Sequence, residues 1–91
     1  MGLEFEWDPT KASSNARKHR VSFKEASTAF ADPRSLTILD PEHSMSEDRS
    51  VLLGVASSGR LLVVVYVERR DRVRIISARR ATARERSQYE E

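Results

Sequence analysis

The sequence predicts an α+β domain, an antiparallel β-sheet with two N-terminal helices packed on one face and a short C-terminal helix. Three observations predict it. Residues 61–67 are almost entirely β-branched or aliphatic, and residues 73–78 mix Val and Ile with Arg74 and Ser77, so two strands flank a short charged turn. Two helix-start signals, Asp8-Pro9 and Ser22 with Glu25, stand close together near the N terminus. From residue 36 onward β-rich runs follow one another across short turns, which calls for antiparallel neighbours and leaves the two adjacent helices to cover one face.

In chain order the pattern reads β-α-α-β-β-β-β-α. Residues 3–7 alternate Leu, Phe and Trp against Glu4 and Glu6, a short strand with one buried face and Trp7 in the core. Asp8 as N-cap and Pro9 at the first helical position, where its missing N–H goes unused, open a helix through about His19. Its apolar content is thin, with only Ala12, Ala16 and His19 at helical spacing, so this helix is expected to ride on the surface. Ser22 and Glu25 form a capping-box signature, with Val21 and Ala26 as a hydrophobic staple. The helix that follows buries Phe23, Ala26 and Phe30 and stops at Asp32-Pro33. Residues 36–39 make a short strand, and Asp40-Pro41 begins a polar loop to about Asp48. A strand from Arg49 or Ser50 through Ala56 is turned back by Ser57-Ser58-Gly59. Thr82 and Glu85 cap a last helix that has almost no apolar stripe and frays unless something else orders it.

The register of the hairpin over residues 59–80 decides where its arginines point, because side chains alternate faces and a one-residue slip exchanges them all. A three-residue loop of Arg69, Arg70 and Asp71 sets Glu68 opposite Arg72 and Tyr66 opposite Arg74. Val63, Val65 and Val67 then line a dry face with Val73 and Ile75, and Tyr66, Glu68, Arg72 and Arg74 share the open one. Other loop lengths bring arginines among valines, at the cost of unpaired buried charge. In this register Arg79 falls on the face opposite Arg74.

At 91 residues the chain makes one domain, residues 1–91, with a single modest core and little room for a deep cofactor cavity. The net charge is only +2, but its distribution is uneven. Residues 60–86 carry nine arginines, no lysine and three acids, whereas acids gather at Glu4, Glu6 and Asp8 and between Asp40 and Asp48. Such a basic half fits phosphate or an acidic protein, and arginine offers both a planar fork. The absence of cysteine excludes disulfides, thiolate metal sites and a cysteine nucleophile. With no signal peptide or spanning apolar run in view, the expectation is a cytoplasmic protein that does not engage a membrane.

No P-loop, GxGxxG or GxSxG is present, and His19 and His43 have no metal-ligand spacing, so no metal and no cofactor are expected. His19, His43, Lys18, Tyr66 and the arginines suit metal-independent cleavage of RNA. A base takes the 2′-hydroxyl proton, that oxygen attacks phosphorus, an acid protonates the leaving 5′-oxygen, and arginines stabilise the developing charge. Arg49, Arg74 and Arg79 are the candidates for that stabilisation, and His43 or His19 for proton transfer. Lys18 and Tyr66 orient the strand, and Arg69 and Arg72 add substrate contacts. The same residues also fit a plainer role, with His19 satisfying a helix end, Tyr66 packing in the core and the arginines solvating a sheet face.

Five segments carry a family resemblance: FEWDPTKASSNARKH at residues 5–19, VSFKEA at 21–26, DPEHSMSEDR at 40–49, LLVVVYVER at 61–69 and RIISARRATARERSQYE at 74–90. In this order they resemble the BrnT toxins of bacterial type II toxin–antitoxin systems across nearly the whole chain. The resemblance implies a RelE-like fold, an endoribonuclease that arrests translation, and neutralisation by a BrnA-type antitoxin. It further implies a toxin–antitoxin complex, with higher-order assembly, that reaches operator DNA only through the antitoxin. The family's recurrent polar residues fall on Lys18, His19, His43, Glu47, Arg49, Tyr66, Arg69, Arg74, Ser77, Arg79, Glu85 and Tyr89. Arg20 and Arg70 depart from the family, which usually has glycine there. The alternatives are a non-catalytic arginine-rich module that binds RNA or protein, and a degenerate toxin that keeps only antitoxin binding.

Overall fold

The structure, a computed structural model, describes residues 3–39 and 49–91. Its elements are β1 (Glu4–Glu6), α1 (Pro9–His19), α2 (Phe23–Thr28) running into a 3-10 turn (Ala29–Ala31), β2 (Leu36–Leu39), β3 (Arg49–Val55), β4 (Leu61–Arg69), β5 (Arg72–Arg80) and α3 (Ala83–Glu90). The predicted order is therefore present, with the 3-10 turn as an addition. The sheet runs β1-β5-β4-β3-β2. Strands β2 to β5 pair antiparallel as expected, but β1 lies parallel to β5, with Phe5 beside Val73. No hairpin ties β1 to its neighbour, so nothing in the connection demands the antiparallel sense.

Each helix end has a local cause. Asp8 Oδ1 accepts from the backbone N–H groups of Thr10 at 2.8 Å and Lys11 at 3.4 Å, and Pro9 opens α1. Arg20 ends α1 in the left-handed region at φ 60°, taking the conformation for which glycine is the easier residue. Ser22 Oγ accepts from Glu25 N–H at 3.0 Å, but the expected capping box does not close. Glu25 turns instead to the guanidinium of Arg60 and the hydroxyl of Ser58. This pairing, led by the bond from Arg60, holds the Glu25 carboxyl below its ordinary range.

The main core lies between the helices and one face of the sheet, where Val21, Phe23, Ala26 and Ala29 meet Leu52, Leu62, Val64, Tyr66, Val73, Ile75 and Ala78. Trp7 packs edge-on to Phe23, and Phe30 stands edge-on to Tyr66 with ring centres 4.9 Å apart. The 3-10 turn presses on β3 closely enough that a Cβ at Gly54 would sit 2.9 Å from the Ala29 carbonyl oxygen. A smaller core on the opposite face joins Leu53, Leu61 and Val63 to Val51, Val55, Ala81 and Tyr89.

The hairpin register differs from the sequence-based one. Arg69 pairs with Arg72, Glu68 with Val73, Val67 with Arg74 and Tyr66 with Ile75. The cause is Arg70, which takes φ 56° and allows a two-residue turn with Asp71 where a three-residue loop was expected. Tyr66 consequently faces the helices and is only 6% exposed, while Val63, Val65 and Val67 share a face with the arginines. A second irregularity follows, because Val65 pairs with Ser77 and leaves Ile76 as an extra residue, a β-bulge. Beyond the bulge Arg79 pairs with Val63, which brings Arg79 onto the same face as Arg74 and corrects the expectation that the two are separated.

The last helix owes its order to contacts within the chain. Thr82 and Glu85 close the predicted capping box, and Arg79 grips both carboxylate oxygens of Glu85 at 2.9 and 2.8 Å. Tyr89 packs on the smaller core and donates its hydroxyl to Asp32 Oδ2 at 2.6 Å. Asp32 also accepts from the N–H groups of Val55 and Arg34, each at 2.9 Å. Helix α3 thus covers one end of the sheet face away from α1 and α2.

Candidate functional site

Strand pairing arranges that second face as a grid. One row runs Arg49 on β3, Val67 on β4, Arg74 on β5 and Glu6 on β1. The next holds Ile38, Val51, Val65 and Ser77, and a third Leu36, Leu53, Val63 and Arg79. Arg49 and Arg74 therefore stand two strands apart, about 10 Å between backbones. Side chains of this length can converge over Val67 on one phosphate-sized anion. Leu36 and Ile38, 38% and 40% exposed, form the apolar margin of the grid.

The β5 arginines have carboxylate partners. Arg74 meets Glu6 at 3.4 Å, and Arg72 meets Glu6 at 3.4 Å and Glu4 at 3.6 Å. These long, partly exposed contacts are weak. The Arg79–Glu85 fork is tighter, and the bond from Arg79 is the main reason that the Glu85 carboxyl is lowered to about 2, while the Arg79 guanidinium is raised. Hydrogen bonding from Tyr89 likewise lowers the Asp32 carboxyl, and the same bond raises the Tyr89 phenol.

Beside this grid a cleft of about 220 Å3 opens between α1 and β5. Lys11, Ser14, Asn15, Lys18 and His19 line it from the helix, and Ile76 and Ser77 from the strand. Asn15 fixes the geometry. Its amide accepts from Ala78 N–H at 3.1 Å, donates to the Ala78 carbonyl at 2.8 Å and donates to the Val21 carbonyl at 2.9 Å. One buried side chain thereby docks the helix against the edge of β5 as a short strand would, and α1 is anchored rather than merely riding on the surface.

Of the sequence-predicted residues, Lys18 and His19 come together in the cleft, and Arg49, Arg69, Arg72, Arg74 and Arg79 share the grid face. Tyr66 does not join them; it lies on the far side of the sheet beneath Phe30. His43 and Glu47 lie outside the described residues. Sequence reasoning missed Lys11, Ser14 and Asn15. Their signal was the spacing: with Lys18 and His19 they occupy positions i, i+3, i+4, i+7 and i+8 of α1, one polar stripe at helical period.

No helix among the described residues is long and apolar enough to cross a membrane. The family model described as the ribonuclease toxin BrnT of type II toxin–antitoxin systems matches residues 7–85. Among solved structures, the chain is similar to the 1.1 Å crystal structure of the Brucella abortus ribonuclease toxin BrnT. That likeness has a TM-score of 0.64 at 19% identity and covers 89% of this chain and 99% of the other. No curated protein sequence matches significantly. With a family match over most of its length and the BrnT fold in its strands and helices, this chain belongs to the BrnT family of type II toxin–antitoxin ribonuclease toxins.

Proposed function

We propose that this protein is a metal-independent endoribonuclease whose site straddles β5, with proton transfer at the α1 cleft and phosphate stabilisation on the grid face. One observation carries the proposal: Lys18 and His19 line a cleft with Ser77, and Ser77 lies on β5 between Arg74 and Arg79. His19 exchanges protons with the 2′-hydroxyl or the leaving 5′-oxygen, and His43 is the second proton-transfer group. Arg74 and Arg49 stabilise charge on the non-bridging oxygens, and Lys18 orients the strand. Arg69 and Arg72 take flanking phosphates at the hairpin end. Arg79, with its fork occupied by Glu85, serves the site by holding α3 beside it.

In this proposal cleavage arrests translation, and a BrnA-type antitoxin neutralises the toxin by covering the grid face with acidic and apolar groups. Operator DNA is reached only through the antitoxin. The test is incubation of antitoxin-free protein with a defined RNA in EDTA, alone and with translating ribosomes. The expected products end in a 2′,3′-cyclic phosphate and a 5′-hydroxyl, with His19→Gln slower by roughly 10²-fold or more. Intact RNA under both conditions would favour a non-catalytic binding module.

A further inference from the structure

We propose that the cleft between α1 and β5 is a second phosphate subsite, in which Lys11 and Lys18 hold the sugar–phosphate backbone of an RNA strand next to the segment cleaved. It deepens the ribonuclease reading and rests on RNA being the substrate. Lys11 and Lys18 are exposed, line the same cleft and have no carboxylate partner among the described residues. Arg60, Arg72, Arg74 and Arg79 each have one.

The two lysines stand seven positions apart, about 10 Å along the helix, with Ser14 between them. Two ammonium groups and a hydroxyl along a groove track a repeating anion, as in proteins that follow a single strand by its backbone. Among the described residues Ile76 is the one apolar side chain lining the cleft, and lysine is depleted at the centres of protein–protein interfaces, so a nucleic-acid strand fits better than an acidic polypeptide. Because Asn15 bonds α1 to the strand bearing Arg74, the subsite stands at a fixed distance from the grid. A strand crossing the edge of β5 meets both.

An all-deoxy oligonucleotide, which lacks the attacking hydroxyl, isolates binding from cleavage. Its affinity for the full chain is measured by fluorescence anisotropy over a series of salt concentrations. Each lysine that neutralises a phosphate contributes about 0.7 to the slope of log K against log salt. Lys11→Gln and Lys18→Gln should each lower the slope by about that much and the double variant by about twice as much, with Tm held. Lys24→Gln, at an exposed position on α2, should leave it unchanged. An unchanged slope in Lys11→Gln overturns the subsite. So does failure of the wild-type protein to bind at low salt, or equal competition by polyglutamate. If the wild-type protein cleaves no RNA while the slopes fall as stated, the catalytic proposal fails and the subsite stands.

Discussion

The arginines of β5 and the lysines of α1 make an instructive pair. By sequence the arginines dominate, and they are the obvious anion site. In the fold most of them already have carboxylates, with Glu4 and Glu6 beside Arg72 and Arg74 and Glu85 locked onto Arg79. The two lysines, inconspicuous in the sequence, face an open cleft without such partners among the described residues. What a ligand meets is the charge left over after internal pairing. A parallel strand that delivers Glu6 to Arg74 changes that remainder as much as any substitution.

The sharpest way to break the comparison is Arg74→Ala. If its loose contact with Glu6 gives way to substrate, RNA cleavage should fall about 10²–10³-fold, while Tm barely moves because a partly exposed ion pair is worth under about 1 kcal/mol. A large loss of stability with cleavage intact would assign Arg74 to the fold instead. Asn15→Ala attacks the link between the two charge sets. It leaves the buried N–H and carbonyl of Ala78 without their partner, and denaturant unfolding should register a loss of about 3 kcal/mol. A loss below about 1 kcal/mol would show that α1 stays docked without the amide.

Acid tests the tight arginine pair. The Glu85 carboxyl is lowered from 4.5 to about 2, so its contribution is complete above pH 4.5 and disappears as pH falls toward 2. Lowered carboxyls at Asp32 and Glu25 act in the same direction. Tm should therefore drop on acidification through that window, and Glu85→Gln should begin lower and fall less steeply; parallel curves would refute the Arg79–Glu85 strap. The smallest effect belongs to the left-handed arginines. Arg20→Gly and Arg70→Gly relieve backbone strain at φ 60° and 56°, and each should gain up to about 1 kcal/mol in denaturant unfolding. Loss of the Arg60 bond to the Arg20 carbonyl would signal that the Arg20 turn had moved.

Much of this architecture was legible in the chain because local chemistry governs it. Asp8-Pro9 starts α1, Ser22 starts α2, Thr82 with Glu85 caps α3, and the apolar runs become strands at or within a few residues of their expected bounds. The hairpin register was not legible, since it turned on a bulky residue adopting φ 56° at Arg70 and on an extra residue inside β5. With it went the facing of Tyr66 and the union of Arg74 with Arg79. Lys18 and His19 stand out in the sequence by residue type, and the fold sets both in one cleft. Asn15 was passed over because a polar residue on a weakly apolar helix looks solvated, and only the tertiary fold supplies the Ala78 backbone that buries it. Glu6 was read as the polar side of a strand, and its partners sit 66 and 68 residues away.

The spare residue at Ile76 gives β5 an asymmetric tolerance to changes of length. Uninterrupted alternation after Ile75 would turn Ser77 and Arg79 toward the helices and Ala78 outward; setting Ile76 outside the ladder restores the opposite phase. Losing one residue at that point would let the strand run straight with every later side chain on its present side. Gaining one would also restore plain alternation, but only by sliding every later residue two places along β4, so that Ser77 would pair with Val63. Natural length variation in this strand should therefore run toward shorter versions, and an alignment without a gap at residue 76 would match core positions of one relative to surface positions of another.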